Sequence, residues 1–137
     1  MKPLQNTIRT FYQNLGKIFY AVAAAGHKVK QKELDLLKEI AKNKWPKIAL
    51  VDTHFDRADV FEIETIFDWL SRQDDYDSAK CFSDFIFFKK EHPSLFTPKI
   101  NDLILNTSNQ IAASFAGLNK SELMLLAKLS IELKKTK

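Results

Sequence analysis

The sequence predicts an all-α fold, a compact bundle of about six to seven helices in a single domain spanning residues 1–137. Three observations predict it. Apolar residues recur every three or four positions along nearly the whole chain, the period of a helix face. No run alternates with period two. Three Gly and four Pro leave little material for a turn-rich β-fold, while 45% hydrophobic residues are enough to build a core without staples.

The elements follow in order. Ile8, Phe11, Tyr12, Leu15, Ile18, Phe19 and Val22 share one face of a first helix, with Gly26 placed to stop it. Leu34, Leu37, Ile40 and Ala41 define a second helix that ends near Trp45-Pro46, because proline disfavours helical geometry in the residue before it. Ile48 to Val51 reads either as a further helical turn or as a loop packed on the core. Val60, Ile63, Ile66, Phe67 and Leu70 make the stripe of a third helix over roughly Arg57 to Ser71. Asp75 or Asp77 can cap a fourth, which carries Phe82, Phe85, Ile86 and Phe88 and ends before His92-Pro93. Thr97-Pro98 reads as an N-cap followed by proline in the first helical position. It opens a fifth helix with Ile100, Leu103, Ile104, Ile111 and Phe115, closed by Gly117. Asn119 or Lys120 starts the last helix, with Leu123, Leu126, Leu129 and Leu133 on its expected buried face.

The chain holds one cysteine, Cys81, so it can form no disulfide within itself. On a helix among Phe82 and Phe85 it reads as a small hydrophobe. The opening Met1 to Asn6 has no apolar core or small-residue cleavage site, and no signal peptide is expected. The longest apolar run, Ile18 to Ala25, is far short of the roughly 20 residues that span a bilayer. The expected location is cytoplasmic.

Two stretches echo one another. Ala21-Val22-Ala23-Ala24-Ala25-Gly26 is matched by Ala112-Ala113-Ser114-Phe115-Ala116-Gly117. After a short polar loop, Glu33-Leu34-Asp35-Leu36-Leu37 is matched by Glu122-Leu123-Met124-Leu125-Leu126. Both copies read as a helical hairpin: an Ala-rich helix end, a Gly in the left-handed position, then a helix whose first-turn Glu suits the positive end of the helix dipole. Two pseudo-symmetric hairpins are one reading; a chance match between Leu- and Ala-rich helices is the other.

On Leu15 to Val29 followed by Glu33 to Leu37, and again on Ile63 to Leu70 and Ala113 to Leu123, the chain resembles the TerB-like group, named for tellurite-resistance proteins, in a small-protein branch. The resemblance covers most of the chain and rests on no single diagnostic motif. It implies an all-α fold of two related halves and a cytosolic role linked to tellurite and other chemical stress. It also implies that acidic residues could bind a divalent metal. Ala25 and Ala116 stand where the family's pattern has an Asp before Gly26 and Gly117, so Glu33 and Glu122 lack that companion.

Read residue by residue, the chemistry is sparse. Asp52, His54 and Asp56 alternate, so in an extended loop they could point one way and, with Glu33, offer oxygen and nitrogen ligands to a divalent metal. The plainer alternative is a solvated loop whose Asp56 caps the third helix. His27 and His92 sit beside Gly26 and Pro93 at helix ends, where a cation is favoured. There is no phosphate loop, zinc-protease motif, nucleophile elbow or calcium loop, and no enzyme is expected.

The fourth helix carries more aromatics than one face can hold. Phe85, Phe87 and Phe88, extended by Trp69 and Trp45, are candidates for a protein-partner or self-association surface; burial in the core is the alternative. Charge is segregated: residues 1–50 sum to +7, 51–91 to −6 and 92–137 to +3, within a net +4. Lys30, Lys38, Lys42 and Lys44 are candidates for anion binding. The group lacks arginine and interleaved aromatics, so nucleic acid is not the favoured partner. Part of the charge is expected to cancel between packed helices. The sequence thus points to a non-enzymatic interaction module, with a metal binder and a weak anion or nucleic-acid binder as alternatives.

Overall fold

The computed structural model describes residues 2–25, 28–45, 57–73, 77–113 and 120–134. They form six α-helices: α1 (Lys2–Ala23), α2 (Gln31–Asn43), α3 (Arg57–Ser71), α4 (Ser78–Glu91), α5 (Pro98–Ala113) and α6 (Lys120–Lys134). One 3-10 turn, Pro93–Leu95, links α4 to α5. No strand occurs among the described residues. The all-α bundle expected from the periodicity is the fold.

Local chemistry explains the helix starts. Glu33 turns back at the head of α2, where its Oε1 accepts the Lys30 backbone N–H at 2.7 Å. This satisfies a donor that a helix start leaves orphaned. Of the two aspartates expected to cap α4, Asp77 does so, its side chain accepting the Ala79 N–H at 2.9 Å. Thr97 Oγ1 accepts the Ile100 N–H at 3.2 Å, and Pro98 is the first residue of α5. The stops expected at Gly26 and Gly117 lie outside the described residues, as does the stretch from Ile48 to Val51.

α1 is the central helix. It packs on α3, α4, α5 and α6, while α2 packs on α3 and α5. From Phe11 onward α1 is buried nearly all round: Phe11, Leu15, Ile18, Phe19, Ala21, Val22 and Ala23 have no exposed surface. A helix apolar on every side is stable only when neighbours surround it. α3 runs parallel to α1, with Gln13 Nε2 donating to Glu62 Oε1 at 3.2 Å and Tyr20 set edge-on to Phe67 at 6.3 Å further along. α4 runs antiparallel, with Phe11 near Phe88 at one level and Lys17 Nζ 3.2 Å from Asp84 at another. The start of α5 meets the end of α6, where Asn101 Nδ2 donates to the Leu133 carbonyl at 3.1 Å.

Gly16 makes the α1–α3 approach possible. A Cβ there would lie 2.8 Å from the Ile63 carbonyl oxygen and 2.9 Å from Ile66 Cβ. No larger residue fits without moving one helix, since interiors are close-packed.

Candidate functional site

The core sorts the aromatics. Phe85 and Phe88 are buried, and both rings pack against Phe96, at 5.7 and 6.2 Å; Phe88 also lies tilted against the His92 ring at 4.6 Å. Trp45 is buried too, 6.1 Å from the Phe19 ring. Phe85, Phe88 and Trp45, read from the sequence as possible surface residues, are therefore core residues. Their rings are already engaged with other rings, which removes them from any outward contact. Phe87 and Trp69 are different: they are 67% and 51% exposed.

Trp69 does not stand alone on its helix. α3 turns Ile63, Phe67 and Leu70 inward. Its outward side carries Phe61, Thr65 and Trp69 at four-residue steps, and Phe61 is 59% exposed. Positions four apart lie above one another on a helix, so two aromatic rings sit on one outward ridge about 12 Å apart along the axis. Sequence reasoning does not single out Phe61. The signal is there, since it sits eight residues before Trp69 and two before the inward Ile63.

α6 holds the second departure. Its inward face is Glu122, Leu126, Leu129 and Leu133. Leu123, expected on that face, points outward and is 51% exposed. The helix is rotated so that Glu122 takes the place expected for Leu123. Met124 and Ile131 are exposed with it.

Of the candidate metal ligands, only Glu33 is among the described residues. Asp52, His54 and Asp56 lie outside the described residues. Glu33 is fully buried and holds the Lys30 N–H. No group of three His, Cys, Asp or Glu positioned for a metal occurs among the described residues.

Lys30, Lys38, Lys42 and Lys44 are all exposed along α2 and its flanks. Lys38 and Lys42 act on Glu64 of α3, the helix on which α2 packs. Burial still raises the Glu64 carboxyl above its ordinary range, with Asp68 adding to it and the two lysines opposing. The basic α2 thus faces the acidic middle of the chain, and Lys17 with Asp84 joins the same two charge blocks between α1 and α4.

Cys81 is buried at the α4 start, and burial pushes its thiol up to about 11. A thiol held protonated at neutral pH is a poor nucleophile. Burial likewise raises the Tyr20 hydroxyl, with Cys81 and Asp77 adding to it. No helix among the described residues is long and apolar enough to cross a membrane.

No protein-family model, curated protein or solved structure matches the chain.

Proposed function

We propose that this chain is a non-enzymatic helical interaction module of TerB-like kind, acting in the cytoplasm in a response to chemical stress. The observation that supports it is the outward ridge of α3. Phe61 and Trp69 are more than half exposed there, while Ile63, Phe67 and Leu70 on the inward face of the same helix are buried. Isolated surface aromatics need no explanation, but two on one helical ridge form the kind of anchor pair found at protein-binding hot spots. Phe87 on α4 adds a third exposed ring. The partner is a protein or a second copy of the chain.

The test is light scattering coupled to size exclusion across a range of concentrations, with affinity capture on the wild-type chain and on a Phe61→Ser, Trp69→Ser double variant. The reading expects assembly or a captured protein with the wild type, lost in the variant, while the helical circular dichroism of both stays the same. A wild type that stays monomeric and captures nothing would end it. So would capture that the variant leaves intact.

A further inference from the structure

We propose that the outward arc of α6 is a docking surface for anionic lipid, holding the protein against a negatively charged membrane face. The proposal rests on α6 alone and is independent of the α3 ridge. Among the described residues, α6 packs chiefly on α5 and α1. At 100° per residue, Leu123, Ala127, Ile131 and Met124 fall within one arc of about 100° opposite the buried Leu129. All four are exposed, Leu123, Met124 and Ile131 by 51%, 56% and 60%. Three large apolar side chains gathered on one exposed arc exceed the singly scattered apolar residues of an ordinary surface.

The charges around the arc indicate what covers it. Lys120, Lys128 and Lys134 are exposed on the same side of the helix, and no carboxylate of α6 lies there. Glu122 is buried inward and Glu132 is half-buried on the flank. Apolar side chains that can enter the headgroup boundary, with lysines beside them whose stems reach phosphate, suit contact with anionic lipid.

A second copy fits less well. Two such arcs face to face would bring lysine against lysine, and like charges directly opposed are repulsive. The three large side chains also offer on the order of 300 Å², against roughly 800 Å² per partner in a stable protein interface. A lipid surface sets no such minimum, because electrostatic attraction adds to whatever apolar area is inserted.

Co-sedimentation with phosphatidylcholine vesicles, with and without phosphatidylserine, tests this on the full chain. The wild type should bind the phosphatidylserine vesicles, bind phosphatidylcholine alone far less, and be released by salt. Met124→Ser with Ile131→Ser should weaken binding. Lys120→Glu with Lys128→Glu should weaken it by about tenfold or more, each reversal removing over one lysine's attraction. All four sites point outward, and unchanged thermal melting confirms that the variants fold. Absence of binding to phosphatidylserine vesicles overturns the proposal, as does binding that neither pair of changes affects. Concentration-dependent self-association abolished by the apolar pair would assign the arc to a second copy instead. Binding to a poly-glutamate peptide that ignores the apolar changes would assign it to acidic protein.

Discussion

The two helices that open with Glu-Leu-x-Leu-Leu, α2 and α6, present matching inward faces and opposite outward ones. Glu33 and Glu122 are both buried in the first turn. Four residues on, Leu37 and Leu126 are buried; three further on, so are Ile40 and Leu129. Outward, α2 shows Lys32, Asp35, Lys38, Glu39 and Lys42, a mixed solvated face, while α6 shows Leu123, Met124, Ala127 and Ile131 among lysines. The helices before them differ as well. From Phe11 onward α1 is enclosed, whereas α5 exposes Asp102, Asn106, Asn109 and Gln110. And α5 packs directly on α6, while α2 rests on α3 and α5. The lesson is that the inward residues hold the bundle together, and the outward ones are free to be spent on solvent or on a partner.

The largest effect should come from the matched leucines. Leu37 has no exposed surface and joins the main core; Leu126 is 8% exposed and sits in a small cluster with Val22 and Ala112. Leu→Ala at such sites costs about 2–5 kcal/mol, more where the surroundings cannot collapse. Leu37→Ala should therefore fall near the top of that range and Leu126→Ala near the bottom. Urea unfolding followed by circular dichroism measures both, and equal losses would mean that the two helices are anchored alike.

A middle-sized effect separates α1 from α5. In the register that aligns Ala21 with Ala112, Gly16 aligns with Thr107, which is buried in α5. Gly16→Ala should destabilise by about 1–3 kcal/mol, because overpacking against the Ile63 carbonyl outweighs the better helix propensity of alanine. Thr107 Oγ1 finds no hydrogen-bond partner among the described residues. Thr107→Val keeps its shape, removes a buried hydroxyl, and should stabilise by about 1 kcal/mol. Thermal melts of the two variants should shift in opposite directions; a stabilised Gly16→Ala or a destabilised Thr107→Val would overturn the corresponding reading.

The smallest effect lies where the charged face of α2 meets α3. Folding raises the Glu64 carboxyl above its ordinary 4.5, so the folded state prefers the protonated form. Stability from this group is present below pH 4.5 and is lost as pH rises through the higher folded value. Glu64→Gln should thus stabilise slightly at pH 7, by less than about 0.5 kcal/mol for so accessible a group, and change nothing at about pH 3.5. Denaturant midpoints at the two pH values check it. A loss at pH 7 would show that attraction to Lys38 and Lys42 outweighs burial.

Much of the fold can be read along the chain, because helix ends depend on neighbours a few residues away. The range 57–71 for the third helix, the Asp77 cap and the Thr97-Pro98 start all rest on such local chemistry. Less of the candidate surface can be read. Phe85, Phe87 and Phe88 are equally apolar and lie within one turn, so periodicity alone offers two or three rotations of the helix. Packing against Phe11 and Phe96 chooses the one that buries Phe85 and Phe88 and leaves Phe87 in water. Leu123 is misplaced by periodicity for a related reason. A buried Glu122 is costly unless its carboxylate is satisfied, so a sequence reading assigns the inward position to the leucine beside it.

Helix content, helix ends, the lack of an internal disulfide and the segregated charge therefore belong to the sequence, since each depends on residue type and short-range spacing. Which side of each helix meets the core belongs to the tertiary structure. A rotation of one residue changes no local preference, yet it decides which side chains the rest of the molecule covers. The exposed rings of α3 and the apolar arc of α6 were decided at that level.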